Sequence, residues 1–203
     1  FAITVRDRWL NYTDTIFTDI TPLYETAIPK SKYSGLHLPG DAQWNTKTTM
    51  DGMWDGDIIN WPKVYQTLAA DLNPAMITIN IGSKVKLSRV VIWDYPEYYN
   101  GRTYYYLGNL KDFEIYGWPS STPPTAAGLD GWVLLGNYHA TKPSGLPFGE
   151  QNDEDYQTAY NGFNWDVDID APKVQYIRIR STKNWGGTTY MGIAELQVYG
   201  DPR

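Results

Sequence analysis

Residues 174–200 read VQYIRIRSTKNWGGTTYMGIAELQVYG, and this stretch decides the fold class. Its first seven residues alternate with period two, which predicts a strand with Ile177 and Ile179 inward and Tyr176, Arg178 and Arg180 outward. ELQVY at 195–199 repeats the pattern, with Leu196 and Val198 inward. Between them lies an aromatic loop, STKNWGGTTYMG, in which Gly186 and Gly187 let the chain turn sharply. Two short strands joined by a long, ring-bearing loop point to an antiparallel β-sandwich or barrel.

The same alternation recurs upstream. MITINI (76–81) places Ile77, Ile79 and Ile81 on one face, and VKLSRVVIW (85–93) reads as two short strands around Ser88. DFEIY (112–116) turns Phe113 and Ile115 inward, and WVLL (132–135) is a further strand. Helical periodicity is scarce: VYQTLAADL (64–72), closed by Pro74, is the one helix expected. The segments 94–109, 119–130, 139–164 and 181–192 are long connections. Loops of that length are usually functional, and two of them, 94–109 and 181–192, are rich in rings.

The 203 residues allow one domain, or one plus a fragment of another. Seventeen Lys and Arg against 23 Asp and Glu leave a net charge of −6, which argues against nucleic acid and against docking on anionic lipid. No apolar run is long enough to span a bilayer. There is no Cys and there are only two His, His37 and His139, so disulfides, thiol catalysis and a His-rich metal site are excluded. Nine Trp, 17 Tyr and 5 Phe exceed what a core of this size needs, so some rings are expected to face a ligand. The opening FAITVRDRWLNYTDTIFTDITPLYE reads as two strands around Arg8–Asn11, followed by Pro22 and Pro29-Lys30-Ser31-Lys32. The expected division is therefore 1–30, the tail of a preceding β-domain plus linker, and 31–203, the sandwich.

The ordered series ITINIG, SRVVIW, KDFEIYG, WVLLG and YIRIRSTKNWGGTTYMGIAELQVYG, over about residues 40–201, resembles the discoidin, or coagulation factor 5/8 type C, domain, in its bacterial carbohydrate-binding branch. The resemblance implies an antiparallel jelly-roll β-sandwich of eight strands, all-β, with ligand loops at one end. It also implies a structural calcium ion, bound by an acidic DG segment and a C-terminal Glu. The matching residues are Asp55-Gly56-Asp57, Asn60 and Glu195, with Asp51-Gly52 as a second register. Calcium wants about six to eight oxygens, and the hydroxyl residue often found shortly after the DG is replaced here by IIN. In the competing reading, Asp55 caps a turn and Glu195 pairs with Arg178 or a lysine.

Sugars are bound by a flat ring under their C–H face and by polar groups around their hydroxyls. Trp185, Tyr190 and Asn184 in one loop, Tyr98, Tyr99, Asn100 and Arg102 in another, and Trp61 in a third supply that combination. Trp93, Tyr116, Trp132, Tyr176 and Tyr199 fall within strands and are expected to pack, as is Trp54 beside the DG turn. The acidic pairs give no catalytic arrangement. Asp166, Asp168 and Asp170 alternate along an expected strand and face solvent, and Asp153–Asp155 lie in a polar loop. No G-x-S-x-G elbow or phosphate-binding glycine motif occurs. The expectation is a non-enzymatic module of a larger bacterial surface, secreted or periplasmic protein. Its partners would be an oligo- or polysaccharide and the neighbouring domains of the same polypeptide, with no nucleic acid and no membrane insertion. The alternative is a structural or protein-interaction spacer.

Overall fold

The computed structural model describes residues 2–19, 24–69 and 74–203. The chain opens with a hairpin of β1 (Ala2–Ile3) and β2 (Ile16–Phe17), then β3 (Thr26–Ala27), β4 (Ser34–Leu36) and β5 (Tyr65–Gln66). The long strand β6 (Ala75–Asp94) follows, then a small hairpin of β7 (Glu97–Tyr98) and β8 (Arg102–Thr103). Next come β9 (Leu110–Trp118), β10 (Val133–His139), helix α1 (Asp153–Tyr160), β11 (Phe163–Asp166), β12 (Val174–Asn184) and β13 (Gly192–Asp201).

β6 builds both layers of the sandwich. Its first half pairs with β12 and β4, and β12 carries β9 and then β10. Its second half pairs with β13 and β11, while β13 carries β3 and β5 at its edge. All these pairings are antiparallel. The strand crosses between layers beside Gly82, which has φ +83° and lies so near Lys32 that a Cβ would sit 2.6 Å from its carbonyl oxygen. One continuous strand therefore replaces the two expected around Ser88. The expected inward residues Ile77, Ile79, Ile81, Phe113, Ile115, Ile177, Ile179, Leu196 and Val198 are all buried in the shared core. The fold is the expected jelly-roll sandwich.

Three local expectations are corrected. Residues 65–66 are strand, not helix: they pair with Gly192–Ile193, so β13 and not an i→i−4 ladder takes their backbone groups. Residues 70–72 of that expected helix lie outside the described residues. Arg178 and Tyr176 point to the far face of β12, but that face is covered. Leu38, Trp132 and Tyr176 form a second small core there, with Trp118 packed against it. Finally, Asp153–Asp155 open a helix. Asn152 caps it, accepting from Asp155 N while the Asp155 carboxylate accepts from Asn152 N, a reciprocal capping box. Asp166, Asp168 and Asp170 are exposed as expected, although only Asp166 is in a strand.

The hairpin β1–β2 is exposed along its length, including Trp9, Tyr12, Ile16 and Phe17. The sandwich proper takes up the chain before the 30/31 division, since β3 pairs with β13 and Ile28 is in the main core.

Candidate functional site

β6 ends, β9 begins, β12 ends and β13 begins at the same end of the sandwich, so loops 95–109 and 185–191 share it. The first loop is pinned at both roots. Asp94 Oδ1 accepts from Leu110 N at 3.1 Å, and Asn109 Nδ2 donates to Tyr95 O at 2.7 Å. From this base β7 and β8 project as a finger, turned by Asn100 (φ 51°) and Gly101 (φ 102°), the positive-φ pair that tight hairpins favour. Tyr98 on the finger is 80% exposed and Tyr99 46%. The Arg102 guanidinium lies 5.9 Å from the Tyr98 ring and donates to Tyr95 Oη at 3.3 Å. Trp61, 39% exposed, packs 5.9 Å from Tyr95. Four expected residues, Trp61, Tyr98, Asn100 and Arg102, thus share one surface.

Behind the finger, Tyr99 stacks on Tyr106 at 5.0 Å and Tyr106 on Phe148 at 4.6 Å. Phe148 comes from the loop before α1, which closes around a single lysine. Lys142 Nζ donates to the carbonyls of Leu146, Pro147 and Glu150 at 3.0, 2.9 and 2.8 Å. Asp155 accepts from both the backbone N and Oγ of Ser144.

Tyr190 walls a cleft of about 270 Å³ together with Asn45, Gln66, Thr67, Leu68 and Ala69. Its ring packs against Gly108, where a Cβ would come within 2.6 Å of Cε2. Gln66 Nε2 donates to Glu97 Oε1 at 3.3 Å, which joins this wall to the root of the finger. Burial raises the Glu97 carboxyl above its ordinary range, and burial with the nearby Glu97 charge pushes the Tyr190 phenol up to about 12. Asn45, Gln66 and Glu97 were not expected from the sequence, because three separate segments bring them together.

Asn184, at the root of the 184–190 loop, is scaffold, which corrects one expectation. Asn184 is fully buried. Its amide donates to Thr188 Oγ1 and Tyr190 O and accepts from Thr188 N, so no polar group remains for a ligand. Trp185 is half-buried edge-on against Tyr105, with Lys111 Nζ 4.3 Å from its ring centre and its indole N–H buried without a partner. Lys142 Nζ also lies 5.6 Å from its ring centre, so two lysines approach the ring.

The oxygens of the acidic segment do not fit a calcium ion, being taken up by hydrogen bonds of their own loop and by Lys30. Asp57 Oδ1 accepts from Ile59 N and Asn60 N, and Oδ2 from Asn60 Nδ2; these bonds, the Asn60 side chain foremost, hold its pKa down to about 2. Asp55 Oδ1 accepts from Asp57 N. Glu195 pairs with Lys30 and accepts from Gly56 N. In the second register, Gly52 is packed against the Val64 backbone. Among the described residues no group of three or more His, Cys, Asp or Glu is placed to hold a metal ion.

Residues 54–200 match the model of the family DUF5000, described as a domain of unknown function, and residues 1–31 match that of DUF5126, described likewise. No curated protein matches the chain in sequence. Among solved structures, the SusE-like protein BT2857 is 27% identical, with a TM-score of 0.79 over 86% of this chain and 100% of that one. The family 32 carbohydrate-binding module of NanJ from C. perfringens, solved with galactose, is 21% identical, with a TM-score of 0.56 over 87% and 99% of the two chains. The module CpGH89CBM32-5 from Clostridium perfringens, solved with GalNAc-β-1,3-galactose, is 11% identical, with a TM-score of 0.55 over 85% and 99%. The last two are alike in fold alone. The discoidin-like fold expected from the sequence is therefore the fold of this chain.

Proposed function

The chain belongs to the DUF5000 family, and from that premise we propose that it is a non-catalytic carbohydrate-binding module of a larger extracytoplasmic protein for glycan use. One observation carries the reading. The Tyr190 cleft and the Tyr98–Arg102 finger lie side by side at the loop end of a sandwich shared with modules solved with sugars bound. A cleft of about 270 Å³ has room for one pyranose ring. Tyr190 supplies an aromatic ring to the lining, and the amides of Asn45 and Gln66, bonded to each other at 3.4 Å, supply its polar groups. Tyr98 is positioned to stack on a neighbouring unit, with Arg102 beside it. A weak site of this kind gains from tethering to other domains. Among the described residues no helix is long and apolar enough to cross a membrane.

The test is titration of the full chain with a panel of neutral oligosaccharides, galactose and GalNAc-β-1,3-galactose included, by a method sensitive to millimolar affinity. Tyr190→Ala is expected to weaken binding at least tenfold, about 1.4 kcal/mol, with an unchanged circular dichroism spectrum. Equal affinity in the variant would remove Tyr190 from the site, and silence across the panel would remove the glycan reading. Glu97 adds a selectivity prediction. Its carboxylate, bonded to Gln66 of the cleft lining, puts negative charge beside the cleft, so Glu97→Gln is expected to raise the affinity for a uronic-acid oligosaccharide relative to its neutral counterpart. An unchanged ratio would count against that role.

The exposed β1–β2 hairpin favours a second, compatible contact. A two-stranded hairpin is marginal by itself, and this one leaves Trp9, Ile16 and Phe17 to solvent. We assign this hairpin, within residues 2–19, to the tail of a preceding β-domain of the same polypeptide, whose strands would cover those side chains.

A further inference from the structure

Glu195 ties the Asp55–Gly56 loop to β13, and the charge that balances it belongs to the protein. We propose that the Lys30 ammonium takes the place of a structural divalent cation in this sandwich, so that the fold is closed by a side chain and does not depend on calcium.

The geometry leaves little for a metal to do. The Glu195 side chain is 2% exposed, and both its oxygens are engaged. Oε2 accepts from Gly56 N at 2.9 Å, and Oε1 pairs with Lys30 Nζ. An ion between the loop and β13 would have to displace that ammonium. It would also have to gather about six to eight oxygens from a loop whose carboxylates face inward on themselves. Asp57 is committed to three N–H groups of its own turn and has Lys63 Nζ at 3.6 Å, while one oxygen of Asp55 holds Asp57 N. The loop is thus shaped by local hydrogen bonds, and one long-range tie remains to be made.

Lys30 is anchored to make it. It opens a short 3-10 turn directly after Pro29. Ile28 before the turn is buried in the core, and its N donates to Val198 O at 2.9 Å. Tyr33 after the turn donates through Oη to Ile28 O at 3.2 Å and accepts from Val198 N at 3.1 Å. Both flanks are therefore fixed to β13, the strand that carries Glu195. Much of the entropy lost in ordering a lysine is already lost in its backbone. An ammonium supplies one charge and three donors, enough to neutralise Glu195, where a calcium ion would need about six to eight oxygens. The tie Lys30–Glu195–Gly56 joins three parts of the chain: the turn after β3, the acidic loop and the last strand.

The test uses the full chain. Its Tm is expected to be the same in EDTA and in millimolar calcium chloride, with no heat of calcium binding by titration calorimetry. Lys30→Met leaves the Glu195 carboxyl buried without its cation, so that it must stay charged or take up a proton, and is expected to lower Tm by several degrees. Lys30→Met/Glu195→Gln keeps an acceptor for Gly56 N without a buried charge, and is expected to recover most of that loss. It also carries the test if the single variant fails to fold. A wild-type Tm that rises with calcium, a Lys30→Met variant as stable as wild type, or a double variant no better than the single would each overturn the proposal.

Discussion

Asp41→Ala lowers the stability of the sandwich by about 3–5 kcal/mol, a fall in Tm of roughly 10 °C for a domain of this size. The cause is Arg178, whose side chain is fully buried on the outer face of β12. Its Nη2 lies 3.0 Å from Asp41 Oδ1, close enough for an ion pair though not aligned as a hydrogen bond. Its Nε donates to Thr78 Oγ1 at 3.0 Å, Nη1 donates to Gly128 O, and the guanidinium lies over Trp132 at 4.6 Å. None of these partners except Asp41 carries a negative charge. Without it the guanidinium stays charged in a dry site, because its pKa is too high for it to neutralise. The reverse substitution is gentler. In Arg178→Met the Asp41 carboxyl, already raised above its ordinary range by burial, escapes by taking up a proton. The expected order of stability in denaturant unfolding is therefore wild type, then Arg178→Met, then Asp41→Ala. The double variant is expected to lie above Asp41→Ala. Equal losses from the two single variants would refute this account, and a loss under about 1 kcal/mol would mean that water reaches the guanidinium.

Arg178 also shows how far the sequence could be read. Alternation marks which residues share a face, and it placed Ile177 and Ile179 correctly because the inner face of a sandwich is always buried. It does not reveal what lies over the other face. There, irregular chain around Leu38–Asp41 and Gly128–Trp132 forms a third layer that has no periodic signature. The helix at 153–160 did leave a signal, Asn152 followed three residues later by an acid. It is too short and polar to show an apolar stripe. At the site, the finger was legible from local composition: adjacent tyrosines, the Asn100-Gly101 turn, then Arg102. The cleft was not, because Asn45, Gln66 and Tyr190 meet only once β5 pairs with β13. Asn184 serves its own loop for a related reason. A loop rich in Asn, Gly and Trp must satisfy its own backbone before it can serve a ligand, and here the amide of Asn184 does that work.

The second large effect is one of pH, and it comes from the residue at the root of the finger loop. Asp94 is buried, accepts from Leu110 N, and forms no ion pair among the described residues. Burial raises its pKa from 3.8 to about 8, with the Leu110 hydrogen bond opposing. The folded state therefore holds a proton that the unfolded chain releases near pH 4. The contribution of Asp94 to stability is complete below the unfolded pKa. It is then lost at up to about 1.4 kcal/mol per pH unit until the folded carboxyl ionises in turn near pH 8. Asp94→Asn keeps an oxygen for Leu110 N and cannot ionise. Near pH 4 the variant is expected to match wild type. By pH 8 it is expected to be the more stable by several kcal/mol, with its finger loop still pinned. Tm measured from pH 4 to 9 for both proteins checks this, since subtraction removes the other buried carboxyls, Asp41 and Glu195, from the comparison. Parallel curves would mean that Asp94 ionises in the fold as readily as in the open chain. If instead the curves diverge and glycan binding by wild type weakens toward pH 8 while that of Asp94→Asn does not, the same carboxyl that anchors the loop also sets the pH range in which the finger is held for its ligand.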